Sequence, residues 1–152
     1  MSLSPAVDTT SLPDWTIKDT RMSQPEPTAR IEKHAAGAEY DFREGCAITE
    51  WWNHPADDAV SVVRARVAAG AVTRWHRLHG TTERYLLLEG AGRVEVGDQP
   101  PASVGPGDTV VIPPGQRQRI TNIGNADLVF LAVCTPRFRD DNYEDIDSSG
   151  ER

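Results

Sequence analysis

The pattern of apolar and polar positions changes near residue 45. From there to residue 134 the chain is made of short runs rich in β-branched and aromatic residues, separated about every ten residues by Gly, Pro, Asn or Asp. Such runs predict strands, and the residues between them predict tight turns. The predicted strands cover residues 45–52, 59–68, 71–76, 82–88, 92–96, 109–113, 116–121 and 127–134. No long stretch has helical spacing, so the pattern favours an all-β sandwich or barrel.

Charge and composition divide the 152 residues into three parts. Residues 1–40 carry six acids and four bases, and the first 30 residues are rich in Ser, Thr, Pro and Asp with no periodicity, which predicts a partly ordered N-terminal arm. Residues 137–152 carry six acids and three bases, which predicts an acidic C-terminal tail. The predicted barrel, residues 41–136, holds eleven acids and nine bases, and is therefore nearly balanced.

The net charge of -7 limits the class of partner. Nucleic acid and anionic membrane both need clustered Lys and Arg, so neither is expected as a partner. The chain has no apolar run of about 18 residues and no basic and apolar leader at its N-terminus, so we expect a cytoplasmic protein without a membrane span.

One stretch within the predicted strands is dense in metal-ligand residue types. His76 ends a predicted strand, His79 follows it, and Glu83 lies seven residues after His76 across a short turn. Two adjacent antiparallel strands bring such positions close enough to share one ion. A second stretch, from Gly107 to Asn122, has the same order of strand, Pro-x-Gly turn and strand.

These two stretches resemble the two motifs of the cupin superfamily over about residues 58–134. The matching positions are Gly70, His76, Glu83 and Gly90 in the first motif, and Gly107, Pro113, Gly115 and Asn122 in the second. The resemblance implies an all-β, single-domain cupin β-barrel, that is, a double-stranded β-helix or jelly roll. It also implies a homodimer, because members of the superfamily usually pair two barrels.

In the superfamily, three His and one Glu usually hold a divalent metal, and this chain departs from that pattern at two positions. Leu78 stands in the second His slot and Gln118 in the His slot of the second motif. His79 is one residue out of register, although a β-bulge at the strand end would turn it inward. The candidate metal ligands are therefore His76, Glu83, Gln118 and, if such a bulge is present, His79.

Such a mixed nitrogen and oxygen set suits iron, manganese, nickel or zinc. The alternative is that Gln118 only forms hydrogen bonds with Glu83 or a substrate and that no metal binds.

Two further residues are candidates for catalysis beside Glu83. Period-two alternation places Tyr85 on the face of Glu83 and Arg74 on the face of His76, where Arg74 would suit an anionic substrate. A core tyrosine and a surface arginine are the alternatives.

These residues together predict a small-molecule site within the barrel. The expected protein is a metal-dependent dioxygenase, isomerase or lyase acting on a small organic, possibly anionic, substrate. The alternative is a binding or sensing domain with the same cavity and no turnover.

Overall fold

The computed structural model describes residues 28–34 and 38–147. Contacts between Cα atoms divide the chain into Met1–Ile31 and Glu32–Arg152. Of the first unit only residues 28–31 are described, and they form neither helix nor strand. The arm predicted over residues 1–40 therefore lies largely outside the described residues.

Eleven strands in the described residues form two antiparallel sheets. In order across the six-stranded sheet, the strands are β1 (Tyr40–Phe42), β2 (Cys46–Trp52), β3 (Ser61–Val67), β10 (Leu128–Thr135), β5 (Thr82–Glu89) and β8 (Thr109–Ile112). In the five-stranded sheet the order is β11 (Tyr143–Asp145), β4 (His76–Leu78), β9 (Gln118–Asn122), β6 (Gly92–Val96) and β7 (Ala102–Val104). A 3₁₀ helix, Asp140–Asn142, precedes β11. This architecture confirms the all-β jelly-roll prediction.

The hydrophobic core lies on the inner faces of both sheets. Alternate residues of each strand contribute to it, as in β9, where residues 118, 120 and 122 are buried and the two between them are less so. Its buried apolar members include Ala65, Val67, Leu87, Val94, Ile112, Ile120, Leu128 and Phe130. No helix in the described part of the chain is long and apolar enough to span a membrane.

Most predicted strands agree with the structure to within two residues, but the one predicted over residues 71–76 is wrong. The strand β4 begins at His76, where the predicted one ends. The backbone N–H of Thr73 donates to Ile120 O at 2.9 Å, whereas that of Arg74 donates to Glu44 O at 2.8 Å. Because consecutive residues bond to different segments, period-two alternation does not hold before His76.

Three short strands were not predicted: β1, β7 and β11. The last lies within residues 137–152, for which the charge pattern predicts a tail. In the structure β11 joins the five-stranded sheet beside β4, with Tyr143 paired to Leu78 and Asp145 to His76. The segment from Arg137 to Asp147 is thus part of the folded domain, and it supplies one wall of the site described next.

Candidate active site

A cavity of about 600 Å³ lies between the sheets and the segment that follows β10. Its apolar wall comes from inward residues of the six-stranded sheet, such as Val63, Ala65 and Phe130. Its polar groups include the predicted residues His76 and Glu83, which the structure brings together. The cavity is large enough for a small organic molecule.

His76, the first residue of β4, is 1% exposed. Its Nδ1 lies 2.8 Å from the carbonyl oxygen of Arg74, and because a carbonyl can only accept, Nδ1 carries a proton and donates it. The other ring nitrogen, Nε2, lies 3.4 Å from Oε2 of Glu44. The backbone thus fixes the ring so that Nε2 faces a carboxyl group.

Gln118 connects Glu83 to Tyr85. It lies on β9 opposite His76 in the strand register and is 0% exposed. Its Nε2 donates to Oε2 of Glu83 at 2.7 Å, and its Oε1 accepts from the hydroxyl of Tyr85 at 2.6 Å. Tyr85 also packs on Phe130, with ring centroids 4.4 Å apart. The Tyr85 hydroxyl is therefore hydrogen-bonded within the core, and the residue also lines the cavity.

His79 does not join His76 in the cavity. Residues 76 and 78 of β4 point inward, so Leu78 lines the cavity. The side chain of His79 is 57% exposed, and its Nε2 lies 2.6 Å from Oε2 of Glu144 on β11. No bulge turns it inward, and its candidacy as a metal ligand is not supported.

Arg74 also lies outside the cavity lining. Its guanidinium forms two hydrogen bonds with the carboxylate of Asp145, from Nε at 2.7 Å and from Nη2 at 3.3 Å. The expectation that Arg74 shares the inward face of His76 is wrong, because residues 73–75 are not a regular strand. Arg74 is therefore not placed to bind an anionic substrate in the cavity.

The structure adds two residues to the site that sequence reasoning missed. Glu44 lies in the tight turn between β1 and β2, and Tyr143 begins β11, and both line the cavity. The ring of Tyr143 stacks on that of His76 with centroids 5.4 Å apart and planes 17° apart. Neither residue belongs to a motif, and the acidic surroundings of Tyr143 in the sequence indicated solvent rather than a cavity.

Two carboxyl groups of the site have unusual proton affinities. Burial raises the pKa of Glu83 to about 7, an effect that the nearby His76 and the Gln118 hydrogen bond reduce and that Glu44 increases. Burial likewise raises the pKa of Glu44 to about 7, against smaller lowering effects of the Cys46 thiol and Arg43. Near pH 7 each carboxyl group can therefore either hold or release a proton.

The residues present do not fit a metal centre. Both polar atoms of the Gln118 amide already make hydrogen bonds, and Leu78 offers no donor atom. Among the described residues, no group of three or more His, Cys, Asp or Glu side chains converges in a way that could hold a metal ion. The predicted ligand set is thus reduced to His76 and Glu83, fewer than a stable site for iron, manganese, nickel or zinc requires.

Comparison with known proteins agrees with this fold. Residues 63–134 match the Cupin domain family. An uncharacterised protein of Methanocaldococcus jannaschii is 34% identical over 84 residues, which are 55% of this chain and 66% of that protein. The chain thus matches just under two thirds of the length of that relative.

Solved structures with the same fold include several enzymes. KdgF from Halomonas sp. superposes with a TM-score of 0.59 at 21% identity, over 68% of this chain and 88% of that one. Pac13 of Streptomyces, described as a nucleoside dehydratase, gives 0.63 at 17% identity, over 78% and 92%. A predicted oxalate decarboxylase of Thermotoga maritima gives 0.56 at 26% identity, over 60% and 80%. With its two motifs, its two facing sheets and these matches, the chain belongs to the cupin superfamily.

Proposed function

We propose that this protein is an enzyme that isomerises a small organic molecule or eliminates water from it, by general acid–base catalysis without a metal. One observation carries this proposal. Two carboxyl groups, that of buried Glu83 and that of Glu44, whose side chain is 14% exposed, both have a pKa of about 7 and line one cavity together with His76. A general acid or base works best when its pKa lies near the working pH.

Glu83 is suited to act as the base. Gln118 donates to its Oε2, which fixes the carboxylate, while no described residue forms a hydrogen bond to Oε1. In this role Oε1 takes a proton from a carbon next to a carbonyl group of the substrate. The electron pair of that C–H bond passes to the carbonyl and gives an enolate.

His76 and Glu44 are suited to act as the acid. Burial raises the pKa of Glu44 to about 7, so near neutral pH this carboxyl group, 3.4 Å from Nε2 of His76, can hold the proton that is donated. That proton passes to the enolate, which completes an isomerisation, or to a leaving hydroxyl, which departs as water. In both cases Glu83 has gained a proton and Glu44, beside His76, has lost one, so Glu83 releases a proton to solvent and Glu44 takes one up before the next turnover.

The structural similarity of this chain to enzymes supports the proposal but does not identify a substrate. Pac13 is described as a dehydratase, and elimination of water is one of the two reactions that the geometry here suits. A dioxygenase, the third reaction class expected from the sequence, would need a metal, which the side chains of this cavity do not fit.

Proton transfer can be tested before the substrate is known. The protein is incubated in D₂O with a panel of aldoses, hydroxy ketones and uridine, and deuterium incorporation at carbon is followed by NMR. We expect exchange in at least one compound, lowered about 10²- to 10⁴-fold in Glu83→Gln. Glu89→Gln, at an exposed position on the same strand, is the matched control and should keep the wild-type rate. Equal rates of deuterium exchange in the wild-type protein and Glu83→Gln would contradict the proposal.

A binding domain without turnover is the second candidate. It is favoured by the Tyr85–Gln118–Glu83 chain, which fixes buried polar groups in one geometry, as a recognition site needs. If the protein only binds its ligand, a compound that raises the unfolding temperature of the wild-type protein should take up no deuterium at carbon.

We also propose, on the resemblance alone, that the chain forms a homodimer. Sedimentation at micromolar concentration should return twice the chain mass of 16.7 kDa. A mass of one chain would contradict this.

A further inference from the structure

Tyr143 is held in place on several sides. Its ring stacks on His76 and meets the ring of Phe42 edge-on, with centroids 5.8 Å apart. The ring of Phe138 lies 6.3 Å away, also edge-on, and the guanidinium carbon of Arg43 lies 4.3 Å from the Tyr143 ring centroid. The ring is therefore fixed by packing, and its hydroxyl has a defined position.

That hydroxyl has no hydrogen-bond partner among the described residues, although it is buried. A buried polar group without a partner costs about 1–3 kcal/mol, so folded proteins keep few of them. Tyr85 differs from Tyr143 in this respect, because the Tyr85 hydroxyl has a partner and donates to Gln118 at 2.6 Å. An unpartnered hydroxyl on a residue that lines the cavity indicates that its partner arrives with a ligand.

The chemistry of that partner follows from the surroundings of Tyr143. Burial, followed by the negative charge of Glu44, raises the pKa of Tyr143 above its ordinary value, so the hydroxyl keeps its proton and acts as a donor. Its partner is then an acceptor, such as an oxygen atom of the substrate.

The charge of the cavity limits which oxygen this is. The carboxyl groups in its lining are those of Glu44, Glu50, Glu83, Asp140 and Asp141. The two arginines in the lining are already paired, Arg137 with Asp58 at 3.0 Å and Arg139 with Asp141 at 3.2 Å. A carboxylate or phosphate in the cavity would therefore meet like charge without an unpaired guanidinium to bind it.

We infer that Tyr143 is a substrate-binding residue whose hydroxyl donates a hydrogen bond to a carbonyl or hydroxyl oxygen on an uncharged part of the substrate. This inference rests on the proposed function only in calling the bound molecule a substrate, because the same hydrogen bond would also hold a ligand that is not turned over. Tyr143 lies on β11, beyond the residues that match the Cupin domain family.

The ligand-free protein gives the first test. Phe in place of Tyr removes only the hydroxyl, so Tyr143→Phe should unfold at the wild-type temperature or above it, because an unpartnered group has been removed. Tyr85→Phe is the matched comparison and should unfold several degrees lower, because it leaves Gln118 Oε1 without its donor. If Tyr143→Phe loses as much stability as Tyr85→Phe, the hydroxyl has a structural partner and the inference is overturned.

Uridine and uridine 5′-monophosphate give the second test, since the pair differs by one phosphate. By calorimetry, wild-type protein should bind uridine at least ten-fold more tightly than the monophosphate, and Tyr143→Phe should lose about ten-fold for uridine. Tighter binding of the monophosphate, or unchanged uridine affinity in Tyr143→Phe, would overturn the inference. If wild-type protein binds neither compound, the unfolding comparison decides.

These results separate the inference from the proposed function. A Tyr143→Phe variant that meets both expectations, in a protein that exchanges no deuterium into any compound of the panel, supports the binding residue and contradicts the enzyme. Exchange that survives in Tyr143→Phe with unchanged KM supports the enzyme and contradicts the binding residue.

Discussion

The amide of Gln118 lies between Glu83 and Tyr85 and makes one hydrogen bond to each, at 2.7 Å to the carboxylate and 2.6 Å to the hydroxyl. A neutral side chain thus occupies the position at which the resemblance implies a metal-binding imidazole. Glu83 and Tyr85 lie on β5 of the six-stranded sheet, and Gln118 lies on β9 of the five-stranded sheet. The two hydrogen bonds of Gln118 therefore join the two sheets.

Replacing this amide should therefore cost stability. Gln118→Leu has nearly the same volume but leaves Glu83 without its donor and Tyr85 without its acceptor, so we expect a loss of about 2–4 kcal/mol in the free energy of unfolding. Chemical denaturation measures it. Gln116→Leu, at an exposed position two residues earlier, is the control and should change stability by less than about 0.5 kcal/mol. A loss at position 118 no larger than that at 116 would mean that the hydrogen-bonded chain contributes nothing.

A metal site can be built by restoring the two missing imidazoles. The double variant Leu78→His and Gln118→His would place three His and Glu83 around one point, the set that the resemblance implies. We expect purified wild-type protein, incubated with Fe²⁺, Mn²⁺, Ni²⁺ or Zn²⁺ and then desalted, to retain little metal, and the double variant to retain about one ion per chain. Inductively coupled plasma mass spectrometry gives the ratio. Stoichiometric metal in the wild-type protein would contradict the metal-free site.

The pH dependence of stability should show the two raised carboxyl groups. For Glu83 the folded value of about 7 lies above the ordinary value of 4.5, so the folded protein binds the proton more tightly than the unfolded chain. Its stabilising contribution is complete below pH 4.5 and is lost as the pH rises through 7. Glu83→Gln removes this dependence, so between pH 5 and pH 8 the variant should gain on wild type by up to about 3 kcal/mol.

Denaturation of both proteins across that range measures the difference, and Glu89→Gln serves again as the control. A constant difference between wild type and Glu83→Gln from pH 5 to pH 8 would show that the pKa of Glu83 is not raised.

Two motif glycines should differ in what a methyl group costs. Gly90 and Gly107 both have positive φ, 84° and 91°, so alanine is strained at either position by about 1–2 kcal/mol. A Cβ on Gly90 would in addition lie 2.6 Å from the carbonyl oxygen of Asp127 and 2.9 Å from Cα of Leu128, whereas at Gly107 it would meet nothing within 4 Å. We expect Gly90→Ala to be the more destabilised of the two by at least about 2 kcal/mol. Equal losses at both positions would mean that the turn near Asp127 moves away without cost.

The sequence predicts the strands of the barrel well, because their alternation records which residues face the core. It predicts β4 poorly because the chain before His76 bonds first to β9 and then to the turn at Glu44, and such a change of partner leaves no period in the sequence. It therefore also assigned Arg74 to the wrong side.

The candidate site divides in the same way. His76 and Glu83 are predictable, because each sits at a fixed place on a strand. Glu44 and Tyr143 are not, because a tight turn and a three-residue strand bring them to the cavity through long-range contacts only. Whether a glutamate in a turn is solvated or buried is decided by what packs over it.

The dependence of the cavity on residues 42–44 and 137–143 has an evolutionary consequence. These two segments lie on either side of residues 63–134, which match the Cupin domain family, and they add an acid, aromatic rings and a hydroxyl to the cavity. Substitutions there can change which molecule is accepted while the strand pairings of the scaffold stay as they are. Relatives that share the strands of the barrel but differ in these two segments are therefore expected to differ in the molecule they accept.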